Sequence, residues 1–414
     1  MITSCKKILL TDIDSLEATK LLAKSLIELK MIEEAKKYLN KALSIDPDDF
    51  EVLKDLGNSF QSLGDGETAK RFYQKAISIN KNYSPALSNL GIVELISGNH
   101  EKALSFLTRA TESDPNHASC WCNLAKAYFQ LGRIEEAEVS LVTAIIICPD
   151  SYNAHFLLGS IFIGQNKFQE AEVPMRKSIE IDPSTITPYL NLGVILKELG
   201  KPKEAEFFTR KALRINPSDE KAHNNLGSIL RDLGQTQQAE QSIRRAIEIT
   251  PNLAEAHYNL SNILQDSGRL TEAELSIRKA IELKSDYVEA YSNLSNILKI
   301  GGEFYDAEIC LRKSIEIRPD FAEAHNNLSQ ILLLAKKFLE GWKEYEWRWN
   351  VKNCATGVRF NSNRNYWNIG NRGRVLLWAE QGLGDELLFL TLVPDFIEQV
   401  DKLIIKTDNR LIPL

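Results

Sequence analysis

Seven asparagines stand in one repeating slot, at Asn89, Asn123, Asn191, Asn225, Asn259, Asn293 and Asn327, with Asp55 and Leu157 interrupting the series. A primary amide carries two donor hydrogens and an acceptor oxygen, the same pairing set as a peptide group. A row of such amides can therefore hold a polypeptide backbone with little regard to its sequence; the alternative is that each bonds a neighbouring helix or water. Four histidines, His155, His223, His257 and His325, share a second slot filled elsewhere by Trp121, Tyr189 or Tyr291. Residues one repeat apart on packed helices lie about 10 Å from each other, against metal–nitrogen bonds of about 2 Å. The histidines are therefore read as packing residues with a polar tip, and no metal is expected. Cys5, Cys120, Cys122, Cys148, Cys310 and Cys354 are scattered. Cys120 and Cys122 point to different sides of a helix, and all six are read as structural thiols. Near the end of the chain Gly382, Gly384 and Asp385 form a candidate phosphate loop within Gln381–Asp385. Bare amides at a helix N-terminus attract phosphate. The full GxGxxG fingerprint is absent, so a tight turn with Asp385 as N-cap is the plainer alternative.

The elements that position these residues are amphipathic helices. In EKAHNNLGSILRDLGQTQQAEQSIRRAIEITPNL, residues 220–253, His223, Leu226, Gly227 and Leu230 share one helical face. Gly234 follows where a helix end favours positive φ. Ala239, Ile243, Ala246 and Ile247 form the face of a second helix, which Pro251 stops. Such a hairpin leaves an apolar face open and must stack on copies of itself. The copies recur every 34 residues: the leucine runs from Leu22, Leu56 and Leu90 to Leu328. A small residue always follows it, as at Ala23, Gly57, Gly91 and Ser261. The second-helix alanine runs from Ala35 to Ala307 and becomes Gly341 in the tenth copy. This spacing and these slots resemble tetratricopeptide (TPR) repeats. The resemblance implies an all-α superhelical solenoid of about ten helix-turn-helix units and turns the asparagine flank toward a concave surface. An extended peptide rises about 3.3 Å per residue, so the ladder would meet it at about every third residue.

Five second helices carry i, i+4 pairs in the favourable orientation: Glu172–Arg176, Glu206–Arg210, Glu240–Arg244, Glu274–Arg278 and Glu308–Arg312. The glutamates neutralise the arginines, so these helices read as a solvated face and not as a basic stripe. A net charge of −6 over 414 residues gives no global field toward nucleic acid or anionic lipid. No stretch reaches the roughly 18 apolar residues of a membrane span, and the N-terminal apolar run is too short for a signal peptide. A reducing cytoplasmic compartment is expected, with neither nucleic acid nor membrane as partner.

Residues 1–15 read as a polar lead and 16–349 as the repeats. The tenth repeat ends in GWKEYEWRWN, where Trp342, Tyr345, Trp347 and Trp349 are expected to cap the stack or join the next segment. Residues 350–372 are Asn-rich and aperiodic, a linker. Residues 373–414 spell strand, turn, helix and strand: Arg374–Ala379, Glu386 to about Gln399 with a bend at Pro394, then Lys402–Lys406. That is the opening of a Rossmann-like sheet, here short and incomplete. GWKEYEWRW, a polar spacer and VLLWAEQGLGDELLF resemble the junction in bacterial TPR–glycosyltransferase fusions similar to O-GlcNAc transferases, and AEAHYNL and EAELSIRKAIEL resemble their TPR arm. The resemblance implies an asparagine ladder in that arm and a nucleotide-sugar site built mainly by a second Rossmann-like domain. Only about 42 residues follow the linker here. No catalysis and no cofactor are therefore expected of the chain as it stands, and a nucleotide sugar only if a catalytic region completes it. The leading expectation is a protein-interaction scaffold. The alternative is the recognition arm of a glycosyltransferase truncated here or completed by a separate chain.

Overall fold

The computed structural model describes residues 15–351, 372–378 and 393–406. The chain forms two compact units that meet in sequence between Gln235 and Thr236. The first contains α1 (Leu16–Glu28), α2 (Ile32–Ile45), α3 (Phe50–Ser62), α4 (Gly66–Ile79), α5 (Ser84–Ile96) and α6 (His100–Ser113). It continues with α7 (Ala118–Gln130), α8 (Ile134–Ile147), α9 (Tyr152–Gly164), α10 (Phe168–Ile181), α11 (Thr187–Glu198), α12 (Pro202–Ile215) and α13 (Glu220–Asp232). The second unit holds α14 (Thr236–Ile249), α15 (Ala254–Asp266), α16 (Leu270–Leu283), α17 (Val288–Ile300), α18 (Phe304–Ile317), α19 (Ala322–Leu334) and α20 (Phe338–Tyr345). A 3-10 turn, Glu346–Asn350, follows α20. Odd-numbered helices are the first members of the hairpins and even-numbered ones the second. In each unit a helix packs on its hairpin partner and on the next hairpin, and successive first helices also touch.

Local chemistry sets the boundaries. The Asp49 carboxylate accepts from the Glu51 and Val52 N–H groups at the start of α3, and Asp219 accepts from Ala222 at the start of α13. These bonds satisfy helix-end donors that have no intrahelical partner. Gly234 takes φ +72°, as its place after α13 required; Asn166 takes φ +58° in the equivalent turn after α9. Asparagine is one of the few side chains that tolerates that region. Pro174 lies inside α10 and is buried, so this helix lacks one internal hydrogen-bond donor.

The tightest constraint within a hairpin lies at the small residue. A Cβ on Gly57 would stand 2.4 Å from a Tyr73 ring carbon, and one on Gly91 would stand 2.5 Å from Leu107 Cγ. The partner is sixteen residues along in both cases. Where the small residue is alanine, the partner is a buried leucine, as in Ala23 with Leu39 and Ala125 with Leu141.

The α/β segment is described in part. Strands β1 (Arg374–Trp378) and β2 (Lys402–Lys406) pair in parallel, Arg374 opposite Lys402. Among the described residues the sheet stops at these two strands, with a short helix α21 (Val393–Ile397) between them. The expectation of a Rossmann-like sheet is thus met only as far as one parallel strand pair. Of the helix expected over Glu386 to about Gln399, Val393–Ile397 is helical (α21), and the part before Val393 lies outside the described residues. Residues 379–392 lie outside the described residues.

Because Ala–Leu pairs replace Gly–Tyr in two hairpins, Gly57→Ala and Tyr73→Leu should be coupled. Gly57→Ala alone is expected to destabilise by about 1–3 kcal/mol from overpacking. Adding Tyr73→Leu should cost less than the two single losses summed. Additive urea midpoints would contradict the close-approach account.

Candidate functional site

The asparagine slot faces the neighbouring first helix. Asn89 Nδ2 donates to Asn58 Oδ1 at 2.6 Å, and Asn123 Nδ2 donates to Ser88 Oγ at 2.9 Å. In the second unit Asn293 donates to Asn262 Oδ1 at 2.7 Å and Asn327 to Ser292 Oγ at 3.2 Å. The acceptor thus sits 31 or 35 residues back, on the first helix of the preceding repeat. Asn259 is also engaged. Asn225 has Val194 and Leu190 at those two positions, and neither offers a side-chain acceptor. All seven asparagines are half-buried. At four positions, then, one amide hydrogen is spent on joining repeats, which is the neighbouring-helix role weighed for this slot. The carbonyl oxygens of Asn89, Asn123, Asn293 and Asn327 accept no hydrogen bond from the described residues. At these four positions the amide thus donates to the preceding repeat.

The histidine slot has one consistent job. Nε2 of His155, His223, His257 and His325 meets the carbonyl oxygen of Pro149, Pro217, Pro251 and Pro319 at 2.8, 3.0, 2.9 and 2.9 Å. Trp121 Nε1 donates to Pro115 O at 2.9 Å, and the Tyr189 hydroxyl donates to Pro183 O at 3.2 Å. His, Trp and Tyr share this slot because each presents a flat ring ending in an N–H or O–H. Since the carbonyl accepts, Nε2 carries the hydrogen in each histidine.

The aromatic cluster of the tenth repeat packs on the first helix before it. Trp347 stacks on the His325 ring at 4.1 Å between centroids and 7° between planes. Glu344 meets the other ring nitrogen of His325. Arg348 is buried and lies over the Tyr345 and Trp349 rings at 4.3 and 4.4 Å. Trp342 stays exposed, edge-on to Tyr345.

All five expected Glu–Arg pairs form, at 2.7–2.9 Å. They also reach the next second helix, as Arg176 to Glu204 at 2.6 Å and Arg312 to Glu340 at 2.7 Å. Glu172, Glu240 and Glu308 are held below the usual carboxylate range by these cations and by Lys201, Arg269 and Lys337. This face ties neighbouring repeats together through solvated ion pairs and leaves no uncompensated basic stripe.

Cys120 is buried, with Sγ 3.2 Å from Ser84 Oγ and 3.4 Å from His117 Nδ1. Burial pushes its thiol up from the ordinary value, as it does for Cys122. A thiol kept neutral is a poor nucleophile, so the Ser–Cys–His proximity is packing. The candidate phosphate loop, Gly382, Gly384 and Asp385, lies outside the described residues.

Sequence reasoning missed one buried ion pair. Glu94 is 2 % exposed, and its carboxylate takes hydrogen bonds from Lys70 Nζ at 2.7 Å and Asn99 Nδ2 at 2.7 Å. The only signal was an acidic residue inside the apolar run GIVELI. Burial by itself would raise this carboxyl; the Lys70 ammonium and the Asn99 amide outweigh burial and hold it below the usual range.

The chain belongs to the tetratricopeptide repeat family. The model of the cilia and flagella-associated protein 70 C-terminal domain matches residues 49–259, about half of the chain, and a tetratricopeptide repeat model matches 21–49, 254–287 and 288–321. No curated protein matches the chain. Among solved structures it is similar to the APC/C hetero-tetramer Cut9–Hcn1, at 15% identity over 77% of this chain and 76% of that one, TM-score 0.48. It is also similar to yeast Tom70, at 16% identity over 82% and 92%, TM-score 0.46. A tetratricopeptide repeat protein from Parabacteroides merdae aligns at 20% identity over 60% and 98%, TM-score 0.46.

Two outcomes are expected. His223→Phe keeps the ring but loses the donor to Pro217 and should cost about 0.5–1.5 kcal/mol in denaturant unfolding. His223→Tyr should cost less, because Tyr189 makes the equivalent bond; equal losses for the two variants would refute the shared role. For Glu94 the folded value lies below the unfolded one, so its contribution is present above the ordinary Glu value of about 4.3. That contribution fades as pH falls through the lowered value. The stability gap between the native chain and Glu94→Gln should therefore shrink as pH drops from about 6 toward 3. A gap that does not change with pH would contradict the assignment.

Proposed function

We propose that this tetratricopeptide repeat protein is a protein-interaction scaffold that holds an extended polypeptide along the asparagine-bearing face of its first helices, as a concave groove. The observation that supports this is the divided amide: its hydrogen is used within the fold while its carbonyl remains to accept from a peptide N–H. An acceptor repeated on successive first helices suits a backbone better than any one side chain, so the binding is broad in sequence. In this reading residues 1–15 are a lead, 16–349 the binding arm, 350–372 a linker and 373–414 an appended α/β segment. No described helix is long and apolar enough to cross a membrane. The free thiols of Cys120, Cys122, Cys148 and Cys310 suit a reducing cytoplasmic compartment.

One observation favours a second reading, the recognition arm of an O-GlcNAc transferase-like glycosyltransferase. The strands β1 and β2 lie parallel in the order such a nucleotide-binding sheet begins with, and Gly382, Gly384 and Asp385 would then form its first loop. Saturable binding or turnover of a nucleotide sugar, measured by calorimetry across a panel of them, would favour this reading. A flat titration leaves the scaffold.

The scaffold reading is tested with an array of end-capped, unstructured peptides. Replacing Asn293 and Asn327 together by alanine, both in the second unit, is expected to weaken retained peptides by about tenfold, at roughly 0.5–1.5 kcal/mol per lost hydrogen bond. Unchanged retention by a variant whose helical unfolding stays cooperative would overturn the proposal.

A further inference from the structure

The first unit carries a cleft that the repeat pattern does not require. Three successive first helices, α5, α7 and α9, enclose a volume of about 340 Å³. Its walls include Leu95, Ile96, Phe129, Leu157 and Ile161, and Lys126 stands among them. A cleft of that size takes one or two large side chains, at the low end of the range typical of ligand pockets. Ile96 and Phe129 remain exposed at 77% and 47%.

Comparison between repeats separates packing from function here. Leu95 and Phe129 occupy the slot held by Gln61, Lys197, Arg231, Gln265 and Lys299 in other repeats; Ile163 has the same slot in the next repeat, and Ile27 and Leu333 in the terminal ones. Five repeats thus stack with a polar residue at this position. Leu95 is buried in a core cluster, so the apolar surface left exposed here is that of Ile96 and Phe129, and exposed apolar surface marks an interaction site.

The charge in the cleft narrows the occupant. Three other first-helix lysines are already engaged: Lys54 with Asp55, Lys197 with Asp232, Lys299 with Gln330. Lys126 forms no ion pair among the described residues. The nearby carboxylate, Glu94, is buried and committed to Lys70. An ammonium beside an apolar cleft leaves its charge to be met by the ligand.

We propose that this cleft anchors a partner polypeptide through a large apolar side chain, with a carboxylate of the same segment two or three residues away on Lys126. The proposal deepens the groove reading and rests on it: Asn89 and Asn123, on α5 and α7, offer carbonyl acceptors to the backbone that carries the anchor. Apolar burial gives the affinity and Lys126 selects the acidic neighbour. A bound acyl chain or a second copy of this protein is an outcome the test must exclude.

The test uses the full chain and three fluorescein-labelled, end-capped Gly/Ser peptides: one with a Phe followed two residues later by Asp, one with Phe and Lys, one with neither. The Phe/Asp peptide should bind at least tenfold tighter than the plain host. Ile96→Asp, at a position exposed enough to leave the fold intact, should abolish that advantage. Lys126→Glu should reverse the preference, so that Phe/Lys exceeds Phe/Asp. Equal binding of all three peptides would overturn the anchor while leaving the amide groove standing. No binding by any of them overturns both. Dodecanoate that saturates the cleft while the peptides do not bind, or sedimentation showing dimers that Ile96→Asp dissolves, would replace the proposed occupant and so overturn it.

Discussion

The close approach of two helices at a side chain too small to keep them apart is the constraint from which the rest of this structure follows. At Gly57 and Gly91 there is no room for a methyl group against Tyr73 and Leu107. Ser261 meets the same demand differently, by donating to the Ala273 carbonyl across the hairpin at 2.8 Å. Such contacts hold the two helices near the short end of helix packing distances, about 8–10 Å. Because each hairpin has the same spacing, the next one can lay its first helix against the last, and the recurring side-chain slots come into register. Without that registry, Asn89 could not reach Asn58, nor Asn123 the Ser88 hydroxyl.

Registry explains why the polar slots are both structural and available. A protein interior pays for an unpaired donor more than it gains from a paired one, so a half-buried amide spends a hydrogen on the preceding helix. The carbonyls of Asn89, Asn123, Asn293 and Asn327 accept no hydrogen bond from the described residues. The outer helices solve the same problem with charge. Glu172 holds Arg176 within its own helix and Lys201 on the next element. These ion pairs are solvent-exposed and individually weak; their contribution is to fix the lateral order of the repeats.

The first-helix surface is not uniform, and its polarity changes within the first unit. Around α5 and α7 the slots that other repeats fill with Gln, Lys or Arg carry Leu95 and Phe129. Repeat packing tolerates either choice. A repeat protein can thus vary its recognition surface without disturbing its stack, because the residues that set the spacing and those that face a ligand lie on different sides of one helix.

The sequence by itself determined the period, the helix phases and the glycine- and proline-marked helix ends. Gly234 and its positive φ, the Glu–Arg pairs and the strand Lys402–Lys406 were all legible, because each depends on residues close together in the chain. The α/β segment was overread: among the described residues two strands pair in parallel, and a Rossmann-like sheet needs further strands to bury its faces. The tertiary structure alone decided where the asparagine hydrogens go, since their acceptors lie 31 or 35 residues back, and only helix packing brings those residues together. It also decided the buried Glu94–Lys70 pair and the cleft beside Lys126. Both arise where side chains from several repeats converge, and a period read one slot at a time carries no information about convergence.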